Sequence, residues 1–174
     1  MAQTPEPLFV GQRFQVERIE RVASDGSVHP REVVRHPGAV VILPLVRSDL
    51  VCLIKNFRPA INRTLVELPA GTRDPGEPPE QTAVRELQEE TGYRAGTLIH
   101  LADFYPSPGI MDERMHLYAA TDLVAGPPAR EATEEIENLL VSWDEAMQQV
   151  ARGEIEDGKT LIGLMWWDAR RRSG

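Results

Sequence analysis

Two apolar runs stand almost back to back in this chain: AVVILPLV at 39–46 and LVCLIKNF at 50–57. Neither alternates apolar with polar residues, so neither can show one face to water as a half-exposed strand does. Both suit buried strands. Only RSD separates them, which suggests a short hairpin connection.

The flanking segments extend this pattern. FQVERIERV (14–22) and VHPREVVRH (28–36) are rich in strand formers and flank the turn signal SDGS. Pro37–Gly38 then punctuates the chain. TLVELPAG (64–71) reads as a short strand ending in a turn. Residues 78–91 read as a helix, because Pro78 and Pro79 suit a first turn whose N–H groups have no partner. Gly92 is well placed to end it. TLIHLADFY (97–105) and MHLYAATDL (115–123) read as strands around the loop PSPGIMDER. GPPAREATEE (126–135) reads as a loop, ENLLVSW (137–143) as a strand, and 143–153 and 159–172 as helices. Strands, helix, strands, helices make an α+β layout rather than a regular βαβ alternation.

Charge and cysteine content exclude several functions. Lys and Arg total 19 and Asp and Glu 27, for a net charge of −8. Such a chain is a poor general binder of nucleic acid or anionic membrane, and an anionic substrate would need local arginines or a divalent cation. Cys52 is the single cysteine, so no internal disulfide and no thiolate metal cluster can form. Its setting, VCLI, reads as a buried small hydrophobe rather than a nucleophile. No apolar run is long enough for a membrane span, and MAQTPEPLFVGQRF lacks the pattern of a signal peptide. A cytoplasmic protein is the expectation. His29, His36, His100 and His116 are scattered, with no pair at zinc-ligand spacing on one element, and read as structural. Trp143, Trp166 and Trp167 read as packing residues rather than base-stacking ones.

RELQEETGY (85–93) concentrates three carboxylates. At about 100° per residue, Glu86, Glu89 and Glu90 project from one side of a helix. Val84, Leu87 and Thr91 follow the same spacing on another side and are expected to pack inward. Like charges at such spacings repel by a few tenths of a kcal/mol per pair. A hard divalent cation turns that repulsion into binding, since Mg2+ and Mn2+ favour carboxylate and carbonyl oxygens.

From Gly71 the chain reads GTRDPGEPPEQTAVRELQEETGY. Its order is Gly71, Glu77, Arg85, Glu86, an aliphatic Leu87, Glu89, Glu90, Gly92 and Tyr93. This resembles the Nudix box, the loop–helix–loop signature of the Nudix hydrolases. Tyr93 departs softly from the pattern, where an aliphatic residue is more usual. The resemblance implies an α/β/α sandwich with a mixed sheet and, in the ADP-ribose pyrophosphatase and nucleoside diphosphate sugar hydrolase branch, a small N-terminal antiparallel β lobe. That lobe would span residues 1–37, support dimerisation and help build the substrate pocket, with the Nudix domain at 38–174.

The resemblance also implies roles. Glu86, Glu89, Glu90 and the carbonyl of Ala70 match metal ligands, for Mg2+ with Mn2+ as a substitute. Glu89 and Arg85 count among the catalytic residues, Arg85 in a supporting pair with Glu77. Gly71, Glu77 and Gly92 match structural positions of the box. Ser107, Pro108, Gly109 and Glu113, in FYPSPGIMDER, match the loop that marks the ADP-ribose branch. Arg58 and Arg31 match arginines near the substrate. The catalytic base is expected in EATEEIEN (131–138), with Glu134 first and Glu131, Glu135 and Glu137 as alternatives. The implied activity is metal-dependent hydrolysis of the pyrophosphate of ADP-ribose or a related nucleoside diphosphate sugar by a homodimer. Alternatives are a GDP-mannose or other sugar-nucleotide pyrophosphatase and a non-catalytic nucleotide-sensing module.

Overall fold

The computed structural model describes residues 6–130 and 135–173. Three strands open the chain: β1 (Glu6–Val10), β2 (Gln15–Val22) and β3 (Val28–Arg35). They form a separate antiparallel sheet in the order β1-β2-β3. The two apolar runs follow as β4 (Ala39–Arg47) and β5 (Leu50–Arg58). Every residue from Ala39 to Leu45 is buried, as a strand covered on both faces requires.

The β4–β5 hairpin pairs only near its closed end, Leu45 with Val51 and Arg47 with Leu50. Beyond that the strands part, and the expected single strand at 64–71 divides to fill the gap. β6 (Arg63–Glu67) pairs with β5, and β7 (Ala70–Thr72) pairs with β4. Pro69 lies between them and its carbonyl accepts from the Ile42 N–H at 2.9 Å. The start of the box is thereby held in the opening of the hairpin.

The remaining elements are α1 (Pro79–Glu86), β8 (Tyr93–Arg94), β9 (Thr97–Phe104), β10 (Met115–Thr121), β11 (Val124–Ala125), β12 (Ile136–Ser142), α2 (Trp143–Ala151) and α3 (Gly158–Ser173). The large sheet runs β12-β5-β4-β10-β9. It is mixed, because β10 is parallel to β4 while the other pairs are antiparallel. Alternation along β4 and β10 separates two cores. Val41, Leu43 and Leu117 join the α2–α3 side with Leu164 and Trp143. Val40, Ile42, Tyr118 and Ala120 pack with Ala83 and Leu87 on the α1 side. Each fully buried aliphatic or aromatic side chain contributes about 1.5–3 kcal/mol. The result is a sheet between helical layers with a small antiparallel lobe, as the resemblance implies.

Two local expectations change. The helix at 78–91 is α-helical only through Glu86, and Leu87–Thr91 form a π-helical turn. Side chains and loop groups take the carbonyls left free where the helix ends: Ala129 N–H on Glu89 O (3.0 Å), Arg130 Nε on Glu90 O (2.9 Å) and Asn138 Nδ2 on Thr91 O (2.8 Å). Thr91 Oγ1 also donates to the Leu87 carbonyl. Val84, expected to pack inward, is exposed, and Ala83 takes its place beside Leu87 and Thr91.

Cys52 is fully buried and burial pushes its thiol up to about 12, so it is inert. Trp143 is a core residue whose Nε1 donates to Asp168 at 3.1 Å. Among the described residues, no helix is long and apolar enough to cross a membrane.

Candidate active site

Arg85 organises the box. Its Nε and Nη2 donate to the two Glu77 carboxylate oxygens at 3.2 and 3.0 Å. Its Nη1 donates to Glu86 Oε1 at 2.7 Å and Glu89 Oε2 at 3.0 Å. One guanidinium therefore ties the 73–78 loop to two of the three helix carboxylates. The Arg85 hydrogen bond holds the Glu77 carboxyl down at about 2, against the upward push of burial, with help from Thr82 Oγ1 at 2.8 Å.

The third carboxylate, Glu90, is buried and its Oε2 accepts from the Ala70 N–H at 3.0 Å. The helix thus grips the residue before the box, whose carbonyl the resemblance marks as a ligand. Gly71 leaves room for Glu86: a Cβ there would lie 2.0 Å from Glu86 Cδ and push the carboxylate aside. Gly92 is required twice over. Its φ is +80°, and a Cβ would lie 2.3 Å from the Gly126 carbonyl oxygen.

A cavity of about 540 Å³ opens over this helix, lined by Glu86, Glu89, Glu90, Arg85 and Arg58 and reached by Glu135 from the start of β12. Three carboxylates and a backbone carbonyl form an all-oxygen donor set, the chemistry that hard divalent cations take. The Glu86 carboxylate lies where a Gly71 Cβ would stand, which sets it against the Ala70–Gly71 backbone and fits such a site. Gln12 and Arg13, between β1 and β2, also line it. They were not anticipated, since nothing local marks a loop in another sheet as reaching the box.

A second cavity of about 350 Å³ shares Arg58 and Ala70–Thr72 with the first. Lys159, Glu113, Phe104, Pro106 and Ile162 line its other side. Arg58 is held by a bidentate pair with Glu67, at 2.7 and 2.6 Å. Glu67 is fully buried and also takes Lys159, which pairs with Asp157 at 2.9 Å. The Glu67 hydrogen bonds raise the Arg58 pKa further, so the guanidinium is always charged. Glu67 and Lys159 went unrecognised in the sequence. An acid on a buried strand just before the box was their one signal.

The other expected residues divide. Glu113 lines the second cavity, and His36 Nδ1 lies 3.4 Å from its carboxylate. Ser107 forms a turn, its carbonyl accepting from Ile110 and Met111 at 3.1 and 3.0 Å. Ser107, Pro108 and Gly109 line neither cavity, and their neighbour Pro106 does. Arg31 lies on β3, exposed, with Nη1 on the Pro30 carbonyl at 2.9 Å, and lines neither cavity. Glu137 points to Lys55 at 3.4 Å on an exposed surface. Glu131 and Glu134 lie outside the described residues, and Glu135 alone of the described loop candidates borders the cavity.

The model of the NUDIX domain matches residues 34–162, well over half of the chain. The chain belongs to the Nudix family. The ADP-ribose pyrophosphatase of Bacillus subtilis (strain 168) is 37% identical to this Nudix protein over 163 residues, covering 92% of this chain and 88% of that one. The GDP-mannose pyrophosphatase of Escherichia coli O139:H28 is 36% identical over 152 residues, covering 80% and 79%. A solved structure described as an ADP compounds hydrolase superposes with a TM-score of 0.83, covering 99% and 97%. At 22% identity that likeness speaks for the Nudix fold alone.

Proposed function

We propose that this Nudix protein hydrolyses the pyrophosphate of ADP-ribose or a related nucleoside diphosphate sugar, with Mg2+ as its cofactor and Mn2+ as a substitute. Cleavage of ADP-ribose would yield AMP and ribose 5-phosphate. The observation that carries this reading is the convergence of Glu86, Glu89 and Glu90 on one cavity beside the Ala70 backbone and the buried-anchored Arg58. The likeness to an ADP-ribose pyrophosphatase over nearly the whole chain supports the substrate class.

Glu86, Glu90, Glu89 and the Ala70 carbonyl would hold the cation. When bound, it would offset the negative charge of the pyrophosphate and favour attack by water. Arg85 fixes the direction of Glu86 and Glu89 through its own hydrogen bonds. Arg58, held rigid by Glu67, is placed to donate to a substrate phosphate with its remaining N–H groups. A loop glutamate would take the proton of the water. Glu134 is the candidate by resemblance, and the position of Glu135 on the cavity supports it as the alternative.

Residues 1–37 would form a lobe serving dimerisation and the substrate pocket, ahead of a Nudix domain at 38–174. Exposed Leu8, Phe9, Val10 and Phe14 support a homodimer through this lobe. Gln12 and Arg13 at the box cavity support its share in the pocket. Ser107, Pro108, Gly109, Glu113 and Arg31 remain proposed substrate contacts, and Arg31 would need a partner subunit to reach one. A cytoplasmic setting is proposed with the rest.

Hydrolysis rates for ADP-ribose and GDP-mannose, each with Mg2+ or Mn2+, test this reading. ADP-ribose is expected to be cleaved faster. Cleavage of GDP-mannose without ADP-ribose would overturn the substrate, and cleavage of neither would overturn the hydrolase.

A further inference from the structure

The edge strand β9 carries a bulge. Leu117 of β10 pairs with Ala102, and the next residue, Tyr118, pairs with His100, so Leu101 is the extra residue. In a regular strand, residues three apart face opposite sides. The extra residue reverses that relation and turns His100 and Asp103 to the same side. Ile99, Leu101 and Phe104 pack on the α2–α3 core. The His100 ring meets Tyr118 edge-on at 5.3 Å, on the α1 side. His116, two residues before Tyr118, shares that face and pairs across the ladder with Asp103.

The three side chains converge. His100 Nε2 lies 2.8 Å from Asp103 Oδ1, and His116 Nδ1 lies 2.7 Å from the same oxygen. One nitrogen from each ring and the carboxylate oxygen all lie within 4.8 Å of one another. Arg114 Nη2 holds the other oxygen, Oδ2, at 2.5 Å and so fixes the direction in which Oδ1 points. His116 is mostly buried while His100 is half exposed, which leaves one side open to solvent.

We propose that His100, Asp103 and His116 form a second metal site, for a transition-metal dication such as Zn2+, distinct from the box carboxylates. Two imidazoles and one carboxylate suit Zn2+ far better than Mg2+. Zinc–ligand distances of about 2.0–2.2 Å in a tetrahedral site set ligand atoms about 3.3 Å apart. The present separations from Asp103 Oδ1 need to open by only about half an ångström. Arg114 supplies the outer hydrogen bond that orients a ligating carboxylate. A solvent molecule would take the fourth position. The scattered spacing of the histidines concealed this set, because its members come from two strands and are brought together by a bulge.

The test is calorimetric titration of Zn2+ into the metal-stripped full chain in saturating Mg2+, which occupies the harder box site. One equivalent is expected to bind. His100→Ala and His116→Gln should each weaken binding at least tenfold, and Glu90→Gln should leave it unchanged. Co2+ should give visible absorption in the wild type that is lost in His116→Gln. His100 is exposed enough that its removal spares the fold, which thermal melting checks. No Zn2+ binding in Mg2+, or binding that survives both histidine substitutions, would overturn the site.

Discussion

The cavity over the box helix and the cavity beside Lys159 share Arg58 and the Ala70–Thr72 backbone, yet they are assembled in different ways. Most of the first comes from one continuous segment, in which Arg85 joins Glu77, Glu86 and Glu89 within a few turns of chain. The second adds Phe104 and Glu113, from the end of β9 and its connection to β10, and Lys159, from the start of α3. Chemistry common to a family can reside in a local segment, whereas the shape that selects a substrate needs the whole fold.

If that division holds, substitutions in the box should stop turnover, and substitutions around the second cavity should change stability or substrate affinity. The largest effect is expected for Glu90→Gln. The amide can still accept from the Ala70 N–H, so the fold should persist while Mg2+-dependent ADP-ribose hydrolysis falls about 100- to 1,000-fold. Steady-state rates alongside a melting curve check this. A fall in rate with no fall in melting temperature keeps the box purely chemical.

Next comes Glu67→Ala. It leaves Lys159 with Asp157 alone and frees Arg58, at a cost of about 2 kcal/mol in denaturant unfolding. A change confined to kcat, with stability untouched, would erase the distinction between the two cavities. Gly71→Ala should follow. Its Cβ would displace the Glu86 carboxylate and lower activity about 10- to 100-fold, chiefly by weakening metal affinity. Raising Mg2+ should recover part of that loss.

The smallest effect concerns pH. The Glu77 carboxyl is held at about 2 in the folded protein, below its ordinary value near 4.3. Its contribution to stability is complete above that ordinary value and disappears as the pH falls through about 2. Glu77→Gln should therefore lower stability by about 1 kcal/mol at pH 7 and flatten the acid limb of the unfolding curve. An unchanged acid limb would mean that the Arg85–Glu77 pair does not couple the loop to the helix.

The sequence made the continuous parts of the molecule legible. The apolar runs at 39–46 and 50–57 became β4 and β5 because an unbroken apolar strand has few other places to go. The box was readable because its partners sit at helical and loop spacings from one another. Long-range effects were not readable. The splitting of 64–71 into β6 and β7 follows from the parting of β4 and β5, which no local pattern records. The carbonyls at the helix end are met by Ala129, Arg130 and Asn138, which follow the helix by dozens of residues. Glu67, Lys159 and the His100–Asp103–His116 set acquire meaning only through pairing across the fold. Around the SPG loop, Pro106 and Glu113 border the second cavity, whereas Ser107, Pro108 and Gly109 do not.

Direct cation binding tests the central claim, that Glu86, Glu89 and Glu90 are a divalent-cation site. Mn2+ affinity can be measured by water-proton relaxation for the wild type, Glu86→Gln and Glu90→Gln. The wild type should bind Mn2+, and each substitution should weaken binding at least tenfold. Equal affinity in all three proteins would contradict the claim.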